Sequence, residues 1–322
     1  MKKKILRALA YLFLGLLALI TVGVVVVLLF FPRARKPTAM RIVPSAERLE
    51  RGRYLAEHQL FCIHCHSEKD SSKYLSPVKP GLAFAGGECF VAPDGPAVSA
   101  CPPNLTSDPE TGLGTWTDDE ISRAVREGVS RDGRALFPIM PWDLFSKLSD
   151  EDVGSIVVYL RSLPPIKKMN PKTSIGFPID LMNRVMPEPI RKPQGDVPKT
   201  DVRAYGEYLA NVSGCHSCHS AEQDYAGGNE FSGHAWVGFE ASVFTPNITP
   251  DVDTGIGQLS KEAFIGRFQA MAEIDPDAPS GIETRTAMPW RQFSGMSEGD
   301  LGAIYEFLSK LPPIKNKVLV RP

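Results

Sequence analysis

The start of this chain lacks charge. No acidic residue occurs in residues 1–36, and no charged side chain of either sign occurs across the 24 positions from Ala8 to Phe31. That run exceeds the roughly 20 residues a helix needs to cross a bilayer. It also exceeds the ~7–15-residue apolar stretch of a cleaved signal peptide, and no Ala-x-Ala pattern follows it. An uncleaved membrane anchor is therefore expected over a signal peptide. Excess positive charge is missing from the rest. Seven basic residues lie in 1–36 (Lys2, Lys3, Lys4, Arg7, Arg33, Arg35, Lys36), so residues 37–322 hold 29 basic against 37 acidic side chains, a net −8. A net-acidic soluble part argues against nucleic acid as a partner. With 43% hydrophobic and 23% charged residues in 322, the chain is of ordinary globular composition and has room for two domains.

Cysteine is scarce too, with six in all, and four of them fall in two short motifs. Cys62-Ile63-His64-Cys65-His66 returns 153 positions later as Cys215-His216-Ser217-Cys218-His219. Cys-x-x-Cys-His is the attachment signal of c-type haem. Two thiols three apart on one helical turn can each add to a haem vinyl group, and the adjoining histidine then faces the iron. The remaining Cys89 and Cys101 are 12 apart in a Pro/Gly-rich stretch. In an oxidising compartment they are expected to form a disulfide; a thiolate haem ligand is the sharper alternative.

The chain divides into an anchor with basic flanks (1–36), a short tether (37–44), a first domain (45–168), a Pro-rich linker (169–198) and a second domain (199–322). Ser45 is an N-cap for a helix from Ala46 to about Ala56, and Thr117 for one over 117–128. Ser149 with Asp152 forms a capping box for a helix ending near Leu163-Pro164-Pro165. Residues 67–115 read as loop. In the linker, Ile175, Phe177, Leu181 and Met182 predict packing on a surface. The second domain opens on a helix over Val202–Ala210 and then repeats the first. Pro103-Asn104-Leu105-Thr106 matches Pro246-Asn247-Ile248-Thr249, and Thr111-Gly112-Leu113-Gly114 matches Thr254-Gly255-Ile256-Gly257. Met140-Pro141-Trp142 matches Met288-Pro289-Trp290, and Leu163-Pro164-Pro165-Ile166-Lys167 matches Leu311-Pro312-Pro313-Ile314-Lys315, both at an offset of 148.

Met140 and Met288 follow their histidines by 74 and 69 residues. Equivalent placement marks them as the expected sixth iron ligands, although a methionine is often mere core filler. His58 and His234 are weaker rivals. His64 and His216, inside the motifs, should point away from iron and stay partly exposed. Trp142 and Trp290 could donate an indole N–H to a haem propionate or simply pack. Trp116 has Leu259 in its place in the second copy, so the two pockets should differ. Asp251-x-Asp253-x-Gly255 with Glu262 imitates a calcium loop, but Ile256 stands where the sharp turn needs glycine.

Both copies resemble class I cytochrome c domains, roughly over 45–167 and 199–315. More narrowly, they look like the haem domains of cytochrome c subunits of bacterial membrane-associated alcohol and sugar dehydrogenases. The resemblance implies an all-α fold, with two tandem class I cytochrome c domains behind an N-terminal transmembrane helix. In each domain the first and last helices would cross, Gly52 and Tyr54 meeting Tyr159, and Gly206 and Tyr208 meeting Phe307. The expected cofactors are two covalently bound haem c. Cys62, Cys65, His66, Cys215, Cys218 and His219 would hold them, and His66, Met140, His219 and Met288 would bind iron. The expected role is single-electron relay on the periplasmic face of a bacterial inner membrane, without catalysis of its own. Partners would be redox proteins or complex subunits with a basic docking patch, with no small organic substrate. The alternative is a dihaem peroxidase with one open iron.

Overall fold

The computed structural model describes residues 2–91, 97–220, 229–237, 242–280 and 286–318. Helix α1 (Lys2–Phe30) is long and apolar enough to cross a membrane, a test that a signal sequence near the N-terminus also passes. It is almost wholly exposed. The segment behind it is not a loose tether. Arg35 pairs with Asp119 at 2.6 Å and Glu127 at 2.7 Å, and the Thr38 N–H donates to Asp119. The Ile42 N–H donates to Asp118 Oδ2 at 2.9 Å. All three acids lie on α4 (Asp118–Glu127), which Thr117 and Glu120 cap reciprocally. Asp119 and Glu127 are buried, and a buried carboxylate needs a cation and donors of this kind. The reading of residues 37–44 as a tether, and of Arg35 as part of a basic flank, is corrected accordingly.

The first half is built from α2 (Ala46–Tyr54, continued by a π-turn at Leu55–Gln59), α3 (Cys62–Cys65), α4, α5 (Trp142–Phe145) and α6 (Asp150–Ser162). The second is built from α8 (Val202–Val212), α9 (Cys215–His219), α10 (Lys261–Gln269), α11 (Trp290–Phe293) and α12 (Glu298–Leu308). Each half has its own apolar core. Leu55, Leu60, Phe84, Ile121, Leu148 and Ile156 anchor one; Leu209, Phe231, Phe264, Leu301, Ile304 and Leu308 anchor the other. In each, the first and last helices cross at a glycine. A Cβ on Gly52 would lie 1.9 Å from the Ser155 carbonyl oxygen, and one on Gly206 1.9 Å from that of Ala303. Only a residue without a side chain lets the backbones approach so closely.

An all-α description misses two small sheets. Strands β1 (Phe90–Val91), β2 (Val98–Ala100) and β3 (Ser174–Ile175) form one, with Phe90 opposite Ala100 and Val98 opposite Ile175. The Cys89–Cys101 disulfide closes its β1–β2 end. Strands β4 (His234–Val237) and β5 (Ser242–Thr245) form a hairpin in the second half. Strands of two to four residues are too short for alternating polarity to show. Because β3 comes from the linker, that segment is stitched to the first half. It continues into α7 (Ile179–Val185), which packs on α1. Of the linker residues expected to pack on a surface, Ile175 joins the sheet, whereas Phe177 and Met182 stand exposed.

The halves clasp each other reciprocally. Tyr54 Oη donates to Asp300 Oδ2 of the second half at 2.7 Å, and Tyr208 Oη donates to Asp152 Oδ2 of the first at 2.8 Å. The two aspartates are also held within their own halves, Asp152 by Arg51 at 2.7 Å and Asp300 by the Tyr205 hydroxyl at 3.1 Å. Burial and the facing carboxylates push both clasp phenols above the usual tyrosine range, which keeps them protonated donors. The expected meetings of Gly52 with Tyr159 and Gly206 with Phe307 are present, and Tyr208 packs against the core that contains Phe307, while the hydroxyls of Tyr54 and Tyr208 reach across the halves. The glycines of the same helices carry the intra-half crossings.

Candidate functional site

Each Cys-x-x-Cys-His segment is delivered by the helix before it. In the first half Phe61 takes a left-handed conformation, φ 42°, and caps α3; in the second Gly214, φ 77°, does so for α9. Glycine suits that conformation, while Phe61 holds it with its ring edge-on to Phe293 of the second half, 5.6 Å between centroids.

Two repeated hydrogen bonds then orient the histidines. His66 Nδ1 lies 2.9 Å from the Pro103 carbonyl oxygen, and His219 Nδ1 2.8 Å from that of Pro246. A carbonyl can only accept, so Nδ1 carries the proton in both rings, and Nε2 keeps a lone pair for a metal. Burial lowers the pKa of both imidazoles, favouring the neutral ligand form. The Ser67 and Ser220 hydroxyls, next in sequence, accept from the Phe84 and Phe231 N–H groups at 2.9 and 2.8 Å.

The asparagine after each proline holds that carbonyl in place. Asn104 Nδ2 donates to the Ile166 carbonyl at 2.7 Å and to Thr111 Oγ1 at 3.0 Å, while its Oδ1 accepts from Thr106 N at 2.9 Å. Asn247 repeats this with Ile314, Thr254 and Thr249. The Pro-Asn-x-Thr, Thr-Gly-x-Gly and Leu-Pro-Pro-Ile repeats are thus one hydrogen-bonded unit. Within it, a Cβ on Gly112 or Gly255 would lie 2.3 or 2.1 Å from a threonine carbonyl oxygen. Asn104→Ala leaves the Thr106 N–H and Ile166 C=O short of a partner in a buried site. It is expected to destabilise the first half by about 2–3 kcal/mol, read as a lower denaturant midpoint with unchanged slope.

Cys62, Cys65, Cys215 and Cys218 are free thiols. Burial pushes Cys62 and Cys215 up to about 12, so both are neutral. Two unpaired thiols on one turn, followed by a neutral histidine with Nε2 available, form a donor set that fits a covalently attached haem c in either half. Met140 packs against the first core, as do Cys62, Leu105 and Trp116; Met288 packs against the second, as do Cys215, Ile248 and Leu259. The structure thus brings each methionine to the cluster of its own motif. Trp116 and Leu259 occupy equivalent places and give the two clusters different linings. Trp142 Nε1 donates to the Leu136 carbonyl at 3.3 Å, and Trp290 packs on Phe268 at 5.2 Å.

The other histidines take separate places. His58 Nδ1 lies 3.1 Å from the Gln292 carbonyl oxygen and bridges the halves. His64 is partly exposed, as expected, with Nε2 3.3 Å from Lys69 Nζ; burial and that ammonium lower its pKa to about 4. His216 lies edge-on to Phe231, 5.1 Å away. His234 opens β4, near enough to His219 to lower its pKa. The calcium-like loop spends Asp251 Oδ1 on Thr254 N–H and hydroxyl, 2.7 Å each. Sequence reasoning missed the backbone carbonyls of Pro103 and Pro246, although the repeated Pro-Asn-x-Thr was their signal.

Residues 49–164 match the cytochrome c family model. The chain is 30% identical over 301 residues to the cytochrome c subunit of an alcohol dehydrogenase (quinone) from Gluconacetobacter polyoxogenes, covering 86% of this chain and 59% of that protein. It is 28% identical over 278 residues to the gluconate 2-dehydrogenase cytochrome c subunit of Pantoea cypripedii, covering 82% and 59%. A dihaem c-type cytochrome of Cereibacter sphaeroides is 25% identical over 271 residues, covering 79% and 83%. The chain spans less than two thirds of the length of the dehydrogenase subunits it matches.

Proposed function

We propose that this chain, which carries a cytochrome c domain over residues 49–164 and is homologous to cytochrome c subunits of quinone-linked dehydrogenases, is a membrane-anchored dihaem electron carrier. Each half is a cytochrome c domain with one covalent haem c, on Cys62, Cys65 and His66 in one and on Cys215, Cys218 and His219 in the other. One observation carries this reading. The hydrogen bond from histidine Nδ1 to a proline carbonyl, with its asparagine-held loop, occurs in both halves with near-identical distances.

Haem c, when bound, supplies a one-electron couple at its iron. His66 and His219 present Nε2 to it, while Pro103 and Pro246 fix the plane and tautomer of each ring. Met140 and Met288 would be the second protein ligands to it, and a methionine ligand would raise the potential and leave no open site for small molecules. The chain relays electrons and performs no bond chemistry. Donor and acceptor are a quinol-oxidising complex or dehydrogenase and a terminal acceptor, docking through basic patches onto the net-acidic halves. α1 anchors the chain in the bacterial inner membrane with the haem domains in the periplasm, where haem is attached.

The purified protein is expected to show two c haems per chain by pyridine haemochrome, the weak far-red methionine–iron(III) band, and no shift when CO meets the reduced form. A CO shift on about half of the haem would reveal one open iron and replace the carrier by a peroxidase.

A further inference from the structure

We propose that α7 is a membrane-surface helix, lying in the outer-leaflet interface beside the end of α1 and seating the first half against the lipid. This rests on reading α1 as a spanning helix.

Met182, Val185 and Met186 of α7 and its C-cap follow at i, i+3 and i+4, so they share one helical face. That face is turned to solvent, with Met182 65% and Met186 46% exposed, and Phe177, just ahead of the helix, is 77% exposed. Contiguous apolar side chains on an otherwise packed element mark a contact surface. α7 cannot bury them by rolling over. Asn183 is buried against the first half, with Nδ2 donating to the Ala135 carbonyl at 3.3 Å, and β3 pins the segment from the other end.

The position of α7 says what covers the face. It packs on α1, and among the described α1 side chains only Val24 and Val27 have partial cover. Val24 lies six residues before the end of α1 at Phe30, or ~9 Å at a 1.5 Å rise per residue. An interfacial amphipathic helix sinks its apolar face by about 5–10 Å, so α7 stands at the depth such helices occupy. Cations suited to lipid phosphate flank it, with Arg33 exposed just beyond α1 and Lys172, Arg191 and Lys192 exposed on either side of α7. A partner protein would need no such match in depth.

The test uses the full haem-loaded chain in nanodiscs of phosphatidylcholine and phosphatidylglycerol, with a nitroxide on Met182→Cys, Ile20→Cys or Lys147→Cys. Collision with oxygen and with a water-soluble nickel chelate gives immersion by EPR. Position 182 is expected to resemble position 20, favouring oxygen over nickel at least several-fold more than position 147 does. If position 20 is immersed and position 182 is as open to nickel as position 147, α7 lies in water and the proposal fails alone. Shielding of position 182 from both reagents means protein covers it, which also overturns the proposal. If position 20 itself meets nickel freely, the anchor reading falls and takes the proposal with it.

Discussion

One haem per chain, in place of two, is the expected outcome of changing Cys215 and Cys218 together to alanine. The first half keeps its own complete set in Cys62, Cys65 and His66, so loss should stop at half of the haemochrome signal. The structural consequence should be larger than the loss of two thioether bonds. Cys215 and Met288 line the second core with Ile248 and Leu259. Without the prosthetic group these side chains would face a void, and surrounding packing relaxes only partly around one. A group bound only by the folded state also stabilises that state by mass action. The second half is therefore expected to melt well before the first, giving two transitions where the parent protein is expected to give one. Two haems retained in the variant would remove these cysteines from the site.

The second large effect is at the helix crossings. Gly206→Val places a Cβ 1.9 Å from the Ala303 carbonyl oxygen and 3.1 Å from Phe307 Cβ. Neither neighbour is the free end of a flexible chain, so α8 and α12 must separate. Overpacking of this kind, at backbone contact, is expected to cost more than about 4 kcal/mol, a large share of the ~5–15 kcal/mol that holds a typical domain folded. α8 also carries α9, so the variant should bind less haem. Gly52→Val meets the Ser155 carbonyl at the same 1.9 Å and should do likewise in the first half. A denaturant midpoint within error of the parent protein would contradict this crossing.

What the sequence made legible was whatever was repeated or punctuated. The helix caps Ser45, Thr117 and Ser149 accept from the third residue of their helices, because capping is local chemistry. The repeated Met-Pro-Trp triplets, offset by 148, each lead into a short helix at Trp142 and Trp290, which the sequence reading did not predict. What depends on distant backbone stayed hidden. No side chain advertises that the Pro103 carbonyl will meet a histidine 37 residues earlier. The β1–β2–β3 sheet joins loop to linker through strands too short to show a period. Arg35 looked like one more basic flank of an apolar run, and only its pairing with Asp119 and Glu127 revealed it as part of the folded body. Of the apolar linker residues read as packing, only Met182 lies on the exposed face of α7, and its neighbours there, Val185 and Met186, drew no such reading from the sequence.

The Tyr54–Asp300 and Tyr208–Asp152 contacts have the form of an isologous dimer interface written within one chain, residue i touching j and j touching i. A single-copy ancestor bearing one such tyrosine and one such aspartate would have been complementary to itself. Joining two copies end to end replaces a concentration-dependent encounter with an intramolecular one, at an effective concentration of order millimolar for a short connection. Fusion also frees the two copies to drift apart at matching places, as Arg51 and Tyr205 already have beside their respective aspartates. Under the proposed function, such drift would give the two halves unequal affinities for an electron.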